Sequence, residues 1–179
     1  MSESTDAMAD QERIDFSRVS FLVVEPNRMM GQMVRDVLMM LDVQYIDRAR
    51  DLDSAVNILR LGRIDLLITE WALNNDGNST GMDIVHWVRN NPASPNRMMP
   101  IVMMTANSEE EYVCRARDCG VSEFVAKPYT VQGFYTRLVA AIARPRQFVR
   151  IDDYFGPDRR RRRDTAYQGP ERREAVAAR

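Results

Sequence analysis

Lysine is almost missing from this sequence, which carries 24 arginines and a single lysine, Lys127. One compact ammonium among so many guanidinium groups marks a position where arginine will not serve. Cysteine is scarce: Cys114 and Cys119 are the only two. Five apart in an apparent helix, they cannot readily face each other, and their spacing is not that of metal ligands. A disulfide framework is therefore excluded. Together with twelve methionines, these thiols suit a reducing compartment and predict a cytoplasmic protein. The one histidine, His86, has no companion ligand and reads as a helix-surface or packing residue. No apolar run reaches the length of a membrane span, and Met1 to Asp15 is polar and acidic, so neither export nor membrane insertion is expected.

Over 179 residues with 45% apolar content there is room for one domain and an appendage. Residues 1–18 read as a disordered arm. From Val19 to Val24 the chain is a continuous strand-length apolar run, followed by Asn27 as a candidate N-cap and an amphipathic stretch to Leu41. Further strands are expected at Val43–Ile46, Asp65–Thr69, Ile101–Met104 and Glu123–Ala126. Helices are expected at Leu52–Leu61, Met82–Asn90, Glu109–Cys119 and Val131–Ala143, the last able to run to about Arg150. Strands apolar throughout, alternating with helices, predict an α/β fold: a doubly wound, five-stranded parallel sheet covered on both faces. Chemistry in such a sheet gathers beyond the carboxyl ends of the strands. Most of the methionines fall on core periodicity and call for no cofactor. The domain is placed at residues 19–145. Residues 146–179, rich in arginine, glycine and proline, read as a tail unable to fold alone.

The strand ends, in order, are Glu25-Pro26, Glu70, Thr105 and Lys127-Pro128, within FLVVEPNR (21–28), IDLLITEW (64–71), PIVMMTA (100–106) and FVAKPY (124–129). Over residues 19–144 this pattern resembles the response-regulator receiver family, of which CheY is a single-domain member. The resemblance implies an acidic pair after the first strand, a phosphoacceptor Asp after the third, a switch hydroxyl, a lysine and a reporting aromatic. Carried over, these fall on Glu25 and Pro26, Glu70, Thr105, Lys127 and Phe124. It also implies a cis Lys127–Pro128 peptide.

Two positions depart from the pattern. Pro26 has no side-chain oxygen, so magnesium loses a ligand and is not expected to bind. Glu70 is one methylene longer than Asp and carries its carboxylate roughly 1.5 Å from the productive place, a misplacement that costs about 10²-fold in rate. Phosphoryl transfer, and enzymatic activity altogether, are not expected. Glu70 is then either a permanent carboxylate that partly mimics the phosphorylated state through Lys127 and Thr105, or one member of a structural ion pair in a vestigial pocket. The polar loop Asn74–Thr80 is about three residues longer than its counterpart in CheY, either covering the pocket or forming a plain insertion.

The tail carries a duplication. Tyr-Phe-Gly-Pro-Asp-Arg-Arg (154–160) recurs as Tyr-Gln-Gly-Pro-Glu-Arg-Arg (167–173), with Arg159 to Arg163 leading out of the first copy. A solvated basic tail needs no Gly-Pro punctuation and no acid fixed before each Arg pair. In each copy Tyr154 or Tyr167 can stack on a base. Asp158 or Glu171 can accept from a guanine edge. Arg159, Arg160, Arg161, Arg163, Arg172 and Arg173 can make bidentate contacts to guanine or phosphate. Twofold recognition of guanine and phosphate suits cyclic di-GMP, taken singly or as its stacked dimer. A receiver with such a tail looks like the CheY-like cyclic di-GMP effectors of the flagellar motor (the Cle class). That resemblance implies a protein partner such as the motor switch, at the flagellar pole or motor, with no DNA and no membrane engaged. The competing reading is a receiver-like adaptor whose basic tail binds nucleic acid without specificity.

Overall fold

The computed structural model describes residues 14–74, 79–106, 109–160 and 174–176. Strands β1 (Ser20–Val24), β2 (Tyr45–Ala49), β3 (Leu66–Glu70), β4 (Ile101–Thr105) and β5 (Glu123–Ala126) form one parallel sheet in the order β2-β1-β3-β4-β5. Helices α1 (Arg28–Met40) and α5 (Val131–Ala143) supply Val34, Leu38, Phe134 and Leu138 to the core on one face. Helices α2 (Leu52–Leu59), α3 (Gly81–Asn90) and α4 (Glu110–Cys119) supply Ala55, Leu59, Ile84, Val88 and Ala116 to the other. Burial on both faces is why β1, β3 and β4 read as unbroken apolar runs. Strand order reverses between β1 and β3, which opens a crevice at the ends bearing Glu25 and Glu70.

Local chemistry sets the boundaries. Asn27 Oδ1 accepts from the amides of Met29 (3.0 Å) and Met30 (3.1 Å) and caps α1 as expected. Asp51 and Ser54 form a capping box at α2. At α3 a Cβ on Gly81 would meet the Glu70 carbonyl oxygen at 2.1 Å, so only glycine lets this helix start against the end of β3.

Three expectations are corrected. The second strand begins two residues later than predicted. Buried Val43 plugs the turn after α1, and the edge strand alternates because only one neighbour covers it. The ordered region starts before residue 19: Phe16 is 1% exposed, with its ring edge-on to Phe21 and Tyr135. Several α1 methionines, Met29, Met33, Met39 and Met40, are exposed rather than core.

The largest correction concerns the tail. Helix α5 stops at Ala143, before Pro145, and the chain continues as β6 (Phe148–Ile151) and β7 (Tyr154–Pro157), turning at Asp152 with φ 47°. Strand β8 (Glu174–Val176) pairs on the other side of β6, giving an antiparallel sheet in the order β7-β6-β8. Phe148, Val149 and Phe155 are buried. Their apolar surface is too sparse to fold alone, but it is covered by arginines of the domain, a partnership that periodicity does not reveal.

Candidate functional site

Beyond the carboxyl ends of β1, β3 and β5, three charged side chains converge. Lys127 Nζ donates to Glu25 Oε2 at 2.8 Å and to Glu70 Oε2 at 2.5 Å. The second oxygen of each carboxylate is also engaged: Glu25 Oε1 accepts from the amide of Asn27 (3.0 Å), and Glu70 Oε1 from that of Trp71 (2.7 Å). Burial works against the ammonium, but the hydrogen bonds it donates to Glu25 and Glu70 outweigh it and hold Lys127 above its ordinary pKa. The Lys127–Pro128 peptide is cis, as expected. Thr105 is buried at the end of β4, and Phe124 on β5 is half-buried against the α4 side of the core. Pro26 follows Glu25 and brings no side-chain oxygen to the site. The long loop Asn74–Thr80 lies partly outside the described residues. Its base is closed by the Ala72–Thr80 bridge and by the Gly81 amide donating to the Trp71 carbonyl at 2.7 Å.

The appended sheet sits at the other end of the domain, by the amino ends of β4 and β5. Arg89 of α3, wholly buried, donates from Nε to the Gly120 carbonyl (3.0 Å) and from one terminal nitrogen to the carbonyls of Arg97 and Met99 (2.8 Å each). Its guanidinium lies 5.0 Å from the Phe148 ring centre, and that of Arg97 lies 4.6 Å from Phe155. Burial lowers the Arg89 pKa. Arg146 donates to the carbonyls of Val121 (2.9 Å), Ser122 (2.5 Å) and Asp158 (2.9 Å). Gly120, at φ 103°, makes the left-handed turn that ends α4 and offers its carbonyl to Arg89.

Of the first tail copy, the structure brings Tyr154, Asp158, Arg159 and Arg160 together. Tyr154 Oη donates to the Pro157 carbonyl at 2.7 Å, and the Arg159 guanidinium lies 4.0 Å from the Tyr154 ring centre. Arg159 Nε is 3.4 Å from Asp118 Oδ1. Asp158 Oδ1 accepts from the Arg160 amide at 3.0 Å. Arg161, Arg163, Tyr167, Glu171, Arg172 and Arg173 lie outside the described residues. Sequence reasoning missed Arg89, Arg97, Arg146 and Asp118. Only Arg89 left a signal there, because it occupies a core position of α3, one turn after Val85. His86 is on the exposed side of the same helix, with its Nδ1 3.1 Å from Asn90 Nδ2.

The family model for response regulator receiver domains matches residues 21–139. This chain belongs to that family. The match stops at Val139, before the appended sheet. Among curated proteins, the chain is 35% identical over 123 residues to the phosphate regulon transcriptional regulatory protein PhoB of Escherichia coli, covering 69% of this chain and 51% of that protein. The PhoB of Shigella dysenteriae matches equally. The chain therefore spans about half the length of the curated relatives it matches. Among solved structures, Vibrio cholerae chemotaxis protein CheY4 superposes with a TM-score of 0.61 at 21% identity, covering 69% of this chain and 98% of that one. The non-phosphorylated HemR receiver domain of Leptospira biflexa gives 0.60 at 22%, covering 70% and 94%. The solved structures establish the fold, and the family match makes this a receiver-domain signalling protein. No helix among the described residues is long and apolar enough to cross a membrane.

Proposed function

We propose that this receiver protein signals without phosphorylation at the β3 position and takes its input through the arginine-rich segment 146–179. That segment recognises cyclic di-GMP and adjusts how the receiver body docks on a partner such as the flagellar motor switch. The observation carrying the first half is the ion-paired cluster: the single ammonium of Lys127 bridges Glu25 and Glu70. Glu70 is one methylene longer than the family's Asp, and both its oxygens are engaged, one by Lys127 and one by the Trp71 amide. Both carboxylates face a fixed cation and Pro26 offers no oxygen, so this donor set does not fit magnesium, which needs several hard oxygens around it. The second half rests on the duplicated Tyr-Gly-Pro-acid-Arg-Arg unit and on the density of guanidinium groups where the first copy leaves β7.

Two measurements test the reading. Incubation with acetyl phosphate and magnesium, followed by intact-mass analysis, should yield no acyl-phosphate adduct, while Pro26→Asp with Glu70→Asp should raise labelling above that baseline. Calorimetry should give micromolar or tighter binding of cyclic di-GMP, with none of cyclic di-AMP or GTP. Labelling of the unaltered chain sinks the first half. Binding that ignores base identity and collapses steeply with salt replaces the second half with nonspecific nucleic-acid attraction.

A further inference from the structure

Between α4 and β5 runs a groove of about 320 Å³. Its floor is apolar, built from Val113 and Ala116 of α4 together with Val121 and Phe124. Its rim carries three guanidinium groups of different origin: Arg117 from α4, Arg146 from the link after α5, and Arg159 from the first tail copy. An apolar slot with a few convergent cations is suited to a flat heterocycle that bears phosphate.

The rim is preset. Arg146 is held by the carbonyls of Val121, Ser122 and Asp158. Arg159 is stacked on Tyr154, 4.0 Å from the ring centre. Arg117 and Arg159 share one carboxylate oxygen, Asp118 Oδ1, at 3.0 and 3.4 Å. Two guanidinium groups on one exposed carboxylate leave positive charge over the slot, and such exposed pairs are readily exchanged for another anion. The other acid at the groove, Glu123, already accepts from Arg137 at 3.1 Å.

We propose that the α4–β5 groove seats one guanine nucleotide unit of the bound cyclic di-GMP. The base lies on Val113 and Phe124, and its phosphate is met by Arg117, Arg146 and an Arg159 that leaves Asp118. This rests on the reading above of the tail as a cyclic di-GMP receptor, and goes beyond it by making the receiver body half of the ligand site. It also gives the signal a route. Val113 and Phe124 belong to the domain, so an occupied groove alters the face the body presents.

Calorimetry of the full chain with cyclic di-GMP tests this. Val113 is 37% exposed, so Val113→Trp fills the slot without burdening the core. Val113→Trp and Arg117→Ala should each weaken binding at least about tenfold, the scale of one lost charge-assisted contact. Arg115→Ala removes the same charge from α4 at a residue that sits over Trp71 instead, and it should bind as the unaltered chain does. In the unaltered chain, the amide resonances of Val113, Val121 and Phe124 should shift on titration. Unchanged affinity in both groove variants, or shifts confined to the tail, overturns the groove while leaving the tail receptor standing. Equal losses in Arg115→Ala and Arg117→Ala reduce the effect to general electrostatics and also overturn it. Absence of binding by the unaltered chain removes both proposals together.

Discussion

Lys127 and Arg89 are both cations withdrawn from water, at opposite ends of one sheet, and they are held in opposite ways. Lys127 meets two carboxylates, each oxygen of which is engaged. Arg89 meets three backbone carbonyls and an aromatic ring, and among the described residues one of its terminal nitrogens has no hydrogen-bond partner. Removing one member of a buried ion pair exposes the full desolvation cost of the charge left behind, whereas carbonyl dipoles answer a cation without cancelling it. The pocket at the carboxyl ends is thus closed by hydrogen bonding, with every carboxylate oxygen of Glu25 and Glu70 engaged. The appended sheet carries as many acids as arginines among the described residues, and its Arg146, Arg150 and Arg159 lie against backbone carbonyls and aromatic rings where Lys127 lies between carboxylates.

The comparison breaks first at Lys127. Lys127→Met leaves Glu25 and Glu70 converging without a cation and should cost about 3–5 kcal/mol in urea unfolding at neutral pH. The ammonium's pKa is raised on folding, so its stabilisation is complete below the ordinary value of 10.5 and is lost as pH climbs through the raised one. A Lys127→Met protein as stable as the original would remove the closed-pocket argument.

Arg89→Ala comes next, at about 2–4 kcal/mol, since the carbonyls of Gly120, Arg97 and Met99 lose a donor and Phe148 loses its cover. The two variants should separate by hydrogen exchange. Arg89→Ala should accelerate exchange in β6 and β7 and spare β1 and β3. Lys127→Met should do the reverse.

Elements built from near-neighbour patterns were readable in advance. The five strands, the Asn27 cap and the start of α5 follow from apolar runs and turn chemistry, and the order Glu25, Glu70, Thr105, Lys127 carries the receiver pattern. What escaped depends on contacts distant in sequence. Phe16 is core only because Phe21 and Tyr135 meet there. The appended sheet is ordered only because Arg89 and Arg97 reach it from the domain and Arg146 reaches back to Val121 and Ser122. The same is true of Arg159, whose partner Asp118 lies 41 residues back. Arginine counts forecast charge; they do not say which guanidinium groups are structural.

Strand β8, downstream of the second tail copy, pairs with β6, with Val149 opposite Ala175. A chain ending at Arg173 lacks that strand. Its loss should lower cyclic di-GMP affinity roughly tenfold in calorimetry. Unchanged affinity would mean that the strand plays no part in recognition.

The smallest expected effect is at Tyr154, whose two contributions can be pulled apart. Its hydroxyl donates to Pro157 within the hairpin, while its ring supports Arg159. Tyr154→Phe removes only the first and should cost about 1 kcal/mol, read as faster exchange in β7. Ligand affinity should change by less than about threefold, because the ring remains. Burial raises the phenol's pKa, with the hydrogen bond from Arg159 pulling the other way, so folding favours the neutral hydroxyl. Its stabilisation is full below the ordinary value of 10 and is lost as pH rises through the raised one. Hairpin protection in the unaltered protein should therefore fall at high pH in a way that Tyr154→Phe does not share, since phenylalanine has no proton to lose. Identical alkaline profiles would mean that the hydroxyl is not holding the turn, and the first tail copy would owe its shape to Arg159 and Arg146 instead.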